Sequence, residues 1–237
     1  MIKAYSSEIT IDAITSPFWI WDKKSGRYRD RSTGRYLSQQ NLEALQRKHI
    51  NAIERDVSQI GELLLRGQIS LATFQEAMAK SLKTLHLHQA VLAKGGIKQM
   101  TASDYLTVGR TLKEQYGWLR NFAQDIRNGY SINEKGDRMP MTVARFKARL
   151  SLYARAGRIS HEQGKQEVAK SRGRYFMQRF LGIAHHCPDC LRYAAMGVRP
   201  VGSLPLPAQA CVCRSNCKCY VRYYSTLTEA IAASKVM

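Results

Sequence analysis

The sequence predicts a mainly α-helical protein: a long antiparallel helical bundle, preceded by an extended ribbon and followed by a small cysteine-rich module. Two patterns carry that reading. Three stripes of apolar residues recur at helical spacing between Leu42 and Ile126, each stopped by a glycine. All six cysteines fall between Cys187 and Cys219, behind 186 residues that hold none. The expected boundaries are 1–38 for the ribbon, 39–180 for the helical domain, 181–224 for the cysteine-rich module and 225–237 for a C-terminal tail.

Each element has a local reason. In the first segment, Gly-Arg-Tyr occurs twice, at Gly26-Arg27-Tyr28 and Gly34-Arg35-Tyr36, and turn signals separate short aromatic runs. That pattern suits a hairpin whose Trp and Tyr side chains pack on the body; a basic-aromatic ribbon that stacks on bases is the other reading. The first helical stripe is Leu42, Leu45, Ile50, Ile53, Val57, Ile60 and Leu64, with Gly67 as its stop. Ser70 caps the second, which runs through Leu71, Phe74, Met78, Leu82, Leu85 and Leu92 to Gly95-Gly96. Thr101 and Asp104 form a capping box for the third, which holds Tyr105, Val108, Leu112, Tyr116, Leu119, Phe122 and Ile126 and stops at Asn128-Gly129. One apolar face on each helix and short glycine-containing loops make the three antiparallel neighbours. A looser helical stretch runs from about Met141 to Phe180, broken near Gly157 and Gly164.

The chain has 37 Lys and Arg against 18 Asp and Glu, a formal net charge of +19. Such an excess bears on partners rather than on fold, and favours a polyanion or an acidic protein surface. Between Met139 and His161 there are five bases and no acid: Arg145, Lys147, Arg149, Arg155 and Arg158. They form either a solvated helix face or a contact surface for nucleic acid backbone or an acidic partner. No apolar run reaches the roughly 20 residues that cross a bilayer. The opening MIKAYSSEITIDAITS lacks the unbroken apolar stretch of a signal peptide, so a soluble chain made in a cytosol, without membrane contact, is expected.

The cysteines carry the chemistry. In Cys187-x-x-Cys190 two intervening residues let both sulfurs face one ion. Cys211, Cys213, Cys217 and Cys219 follow about twenty residues later, across a loop with three prolines. Two knuckles joined by an insert are how a four-thiolate zinc site is assembled, and the expected set is Cys187 and Cys190 with two of Cys213, Cys217 and Cys219. His185 and His186 stand close enough to substitute, and Lys218 and Arg214 would offset thiolate charge. A pair of disulfides or free thiols are the competing readings, the first disfavoured in a reducing cytosol. With four or more sulfurs available no coordination position stays open for water, so the zinc would be structural. His86 and His88 have no carboxylate pattern nearby and read as surface residues. No nucleophile elbow, phosphate loop or His-Glu-x-x-His occurs, so the chain is expected not to be an enzyme.

The arrangement His186-Cys187-x-x-Cys190, a Gly/Pro loop from Gly197 to Pro207, then Asn216-Cys217-Lys218-Cys219 resembles the minor head and head-morphogenesis proteins of tailed bacteriophages, the Mu F-type and its Bacillus-phage relatives. Gly95-Gly96 with Gln99-Met100-Thr101, the stretch Gln115-Tyr116-x-x-Leu119-x-x-Phe122-Ala123 and the Gly-Arg-Tyr lead-in are similar too, so the likeness runs from about Trp21 to Tyr224. The chain departs from the Mu pattern in lacking a His three residues before the Asn-Cys-Arg-Cys cysteine, in having Lys218 for Arg, and in adding Cys211. The resemblance implies a low-copy virion component of the head or neck, multi-copy within its assembly and present in host cytoplasm while particles form. It would be bound to portal or capsid proteins, act in head assembly or genome packaging and delivery, and touch packaged DNA without sequence preference. A free zinc-knuckle nucleic-acid-binding protein is the alternative. A regulator would place a recognition helix beside its zinc ligands, and the Pro/Gly-punctuated run after Cys190 reads as loop.

Overall fold

The structure, a computed structural model, describes residues 19–133 and 135–235. The part of the expected lead-in before residue 19 lies outside them. The chain is mainly helical, with small antiparallel sheets and a cysteine-rich cluster near its C-terminus. In chain order the elements are β1 (Trp19–Asp22), β2 (Arg27–Asp30), α1 (Gln39–Leu65), α2 (Leu71–Lys94), α3 (Ala102–Asn128), β3 (Tyr130–Ile132), β4 (Arg138–Pro140), α4 (Val143–Arg155), α5 (Arg158–Ser171), β5 (Phe176–Phe180), α6 (Pro188–Ala195), β6 (Arg199–Pro200), β7 (Tyr220–Tyr224) and α7 (Leu227–Lys235). No helix among the described residues is long and apolar enough to cross a membrane.

The described residues fall into two compact units, with α2 running from one into the other. The first comprises residues 38–88 and 101–157. Its helices start and stop where side chains satisfy their terminal backbone groups. Ser38 accepts from the Asn41 amide, Thr101 and Asp104 cap α3 reciprocally, and Thr142 accepts from the Arg145 amide. Gly129 closes α3 in the left-handed conformation, at φ 75°. The predicted stripes supply the buried residues Ile53, Val57 and Ile60, Phe74, Met78 and Leu82, and Val108, Leu119 and Phe122. Phe74, Phe122 and Phe146 meet with ring centroids 5.5–6.0 Å apart. Contacts pair rising numbers on one helix with falling numbers on another: Glu54 with Arg155 and Glu62 with Lys147 between α1 and α4, Phe74 with Phe122 and Ala79 with Tyr116 between α2 and α3. At Gly61 a Cβ would come within 2.3 Å of Leu150, so glycine sets how closely α4 approaches α1.

The second unit comprises residues 19–37, 89–100 and 158–235. β1 and β2 form the expected hairpin, and Trp21 and Tyr28 pack as expected, whereas Tyr36 is exposed. Tyr28 is buried with its hydroxyl donating to the Leu92 carbonyl at 2.9 Å, and Trp21 lies edge-on to it. Gly95, at φ +92°, admits the Trp21 ring, which a Cβ there would meet at 2.0 Å. A three-stranded antiparallel sheet, in the order β6-β5-β7, carries the core of Ile159, Met177, Leu204, Leu206 and Val221.

Five local expectations are corrected. Residues 176–180 are a strand rather than the end of a helix: Met177 and Arg179 are buried and alternate with half-buried neighbours, the period of a strand. Gly164 does not break its helix; it lies inside α5, where a Cβ would meet that of Ala93 at 2.7 Å. His86 and His88 are buried, because α2 is covered nearly all round toward its C-terminal end. The run after Cys190 is not all loop, since α6 occupies residues 188–195. Residues 227–235, expected as tail, form α7, whose Ser234 donates to Gln178 of β5 at 2.7 Å.

Candidate metal centre

The cysteine cluster lies in the second unit and is assembled from three pieces of chain. Cys187 occupies the N-cap position of α6 with Pro188 at its first turn, so the helix opens on the chelating pair and buries Cys190. Cys211 and Cys213 sit in a turn continued by the short 3₁₀ segment Arg214–Asn216, and Cys217 and Cys219 lead into β7. The loops are held to the body. Asp189 accepts from the Val212 amide at 3.1 Å, and the Tyr193 hydroxyl donates to the Ala210 carbonyl at 3.0 Å. Arg158 of α5 donates to the carbonyls of Cys217 and Cys219.

Cys190, Cys211, Cys213 and Cys217 have all four sulfurs within 4.8 Å of one another. Neighbouring sulfurs are 3.3 Å apart for Cys211 and Cys213, 3.4 Å for Cys190 and Cys213, and 3.7 Å for Cys190 and Cys217. Four thiolates around zinc at about 2.3 Å stand about 3.8 Å apart, so the spacing fits one tetrahedral ion. It exceeds the roughly 2.05 Å of a disulfide, and all six cysteines are free thiols. Of the other expected ligands, Cys187 reaches Cys213 at 3.7 Å, and Cys219 groups with Cys190 and His186. Cys211, an extra residue in the sequence pattern, is therefore a full member of the set; His185 is exposed.

The cation at the sulfurs is Arg179, a residue sequence reasoning missed. Arg214 and Lys218, expected in that role, are exposed. Arg179 is 1% exposed, and its Nη2 donates to the sulfurs of Cys190, Cys211 and Cys217 at 3.4, 3.7 and 3.2 Å. Its Nη1 donates to the Pro205 carbonyl at 3.0 Å, and its guanidinium lies over the Tyr193 ring. Burial works against its charge, but the hydrogen bond to Cys219 and the charge of Cys217 more than offset this and raise its pKa. At Cys217 burial favours the thiol, yet the Cys219 and Ala208 amides and the Arg179 charge bring it down to about 6. Burial likewise opposes ionisation of Cys187, and the Cys190 and Cys213 amides bring it to about 7. Cys190, Cys213 and Cys219 are pushed up, chiefly by burial. A buried thiol set that one guanidinium ionises only in part is suited to a dication, which supplies the missing positive charge and displaces the remaining protons.

Each of the five expected contact bases has a partner inside the chain. Arg145 donates to the Pro140 carbonyl at 2.7 Å, Lys147 pairs with Glu62 at 3.0 Å, Arg149 with Asp125 at 2.5 Å and Arg155 with Glu54 at 3.7 Å. The run lacks acids of its own, and other helices of the first unit supply them. Arg158 belongs to the second unit and is turned onto the cysteine loop.

One buried histidine pair was also missed: His88 Nδ1 and His49 Nε2 lie 2.9 Å apart between α2 and α1. The chain matches no protein-family model, no curated protein and no solved structure.

Proposed function

We propose that this chain is a structural, non-enzymatic component of a tailed-bacteriophage particle, a minor head protein whose C-terminal knuckle is closed by structural zinc. The observation that carries the zinc is the convergence of four cysteine sulfurs in one group around a buried arginine. Every donor in that group is a thiol and three of the four cysteines are buried, which suits a closed, load-sharing site better than one that admits water and substrate. The head assignment rests on the resemblance of the cysteine pattern, and the net charge of +19 supports contact with packaged DNA. The long helices of the first unit, read as an antiparallel bundle about 40 Å long, would give reach toward portal or capsid.

The location is tested on particles. An antibody to the chain should find it in purified heads, and recovery only in the free soluble fraction would contradict the reading. The purified chain should bind long duplex DNA regardless of sequence, with affinity falling steeply as salt rises.

A second reading, a free zinc-knuckle nucleic-acid-binding protein, is favoured by α6. This short helix opens at Cys187 and exposes Leu191 and Arg192, the kind of element the sequence did not foresee there. A footprint on a defined DNA sequence at moderate salt would select it.

A further inference from the structure

The donors in the cysteine module outnumber one tetrahedron. Cys190, Cys211, Cys213 and Cys217 form one group, and His186, Cys190 and Cys219 form another whose donor atoms also lie within 4.8 Å of one another. Cys190 is common to both. The second group is built around an oriented imidazole. His186 Nε2 lies 2.7 Å from the Gly182 carbonyl, which only accepts, so Nε2 carries the proton and Nδ1 carries the lone pair. That lone pair faces the sulfur of Cys219 at 3.8 Å, and Cys219 is wholly buried. Fixing one ring nitrogen on a carbonyl while the other points at soft donors is how proteins set a metal-binding histidine. The remaining thiol, Cys187, lies beside Cys190 and Cys213.

Two tetrahedral ions sharing one corner take seven donors, and the six cysteines with His186 supply seven, His185 being exposed. We propose that the module holds two zinc ions bridged by the Cys190 thiolate: the first bound by Cys190, Cys211, Cys213 and Cys217, the second by Cys190, Cys219, His186 and Cys187. Each cysteine gives up its thiol proton on coordination, and the neutral imidazole gives up none. The second ion adds two positive charges and two thiolates, so the buried net charge is the same as for a single four-thiolate site. Arg179 therefore serves as counter-cation for two ions as well as for one.

The inference rests on the zinc reading above, and metal stoichiometry separates the two. Native mass spectrometry of the full chain should show two zinc ions. His186→Ala should keep one, with the second lost at a chelator concentration that leaves the first in place. One zinc in the unaltered chain overturns the bridged pair and leaves the structural zinc standing. No zinc, or iron in its place, overturns both. Should His186→Ala fail to fold, cobalt(II) titration of the unaltered chain decides. A thiolate bridge couples the two ions, so the electron paramagnetic resonance signal per cobalt falls as the second equivalent enters; a signal growing in proportion through both equivalents overturns the bridge.

Discussion

At the scale of single residues, Arg179 connects fold to chemistry. Its place on β5, two residues beyond Met177, turns it to the same face of the strand, and there it finds three sulfurs and a carbonyl oxygen. A guanidinium presents several donors in one plane, so it can serve these acceptors together, which a lysine ammonium on a flexible stem does less well. Arg179→Leu should weaken zinc binding about 10- to 100-fold, the usual range for losing an outer partner of a metal site, with Arg179→Lys in between. Chelator competition on the full chain measures this, and an unchanged affinity in Arg179→Leu would show that the sulfurs do not need the cation. In sequence the residue gave one faint sign: a charge at an inward position of Phe-Met-Gln-Arg-Phe, in a run too short to distinguish strand from helix by period.

At the scale of elements, α1 and α2 hold a pH-sensitive contact. Burial lowers His49 to about 3, with the neighbouring His88 adding to the effect, and burial lowers His86 and His88 to about 4. All three are neutral in the fold, whereas the unfolded chain takes up protons near 6.5. Their contribution to stability is complete above about pH 6.5 and is lost as pH falls toward their folded values, at up to about 1.4 kcal/mol per pH unit for each histidine. The urea midpoint of the unfolding transition should fall between pH 7 and pH 5, and His49→Gln should flatten that slope; a level profile would contradict the buried neutral pair. The elements legible in sequence were those with caps at both ends of a periodic run, such as α3 between Thr101 and Gly129. The ones missed lacked such signals or hid them. α6 has only eight residues and opens on Cys-Pro-Asp-Cys, which reads as a turn. The polar positions His86 and His88 read as solvent-facing in sequence, whereas packing covers that end of α2 on nearly every side.

At the scale of the whole molecule, chain order and compact units do not coincide. The hairpin of residues 19–37 and the end of α2 share a unit with residues 158–235, which no boundary drawn along the sequence anticipates. The cysteine spacing did announce a cluster that could hold a metal ion, but the sequence alone could not rank six thiols, because their membership depends on how β5, α6 and the loop before β7 converge. The excess positive charge is also not where a local count placed it, since Lys147, Arg149 and Arg155 are each matched by an acid from another helix. The claim on which the functional reading depends is that the cysteines close around metal. The most direct test is the zinc content of the full chain purified without reductant, with reactive thiols counted before and after a strong chelator. The account predicts bound zinc, thiols that stay unreactive until it is removed, and loss of protease resistance in the cysteine module afterwards while the helical signal of α1 to α4 persists. No metal, with six thiols reactive from the start or paired as disulfides, would contradict it.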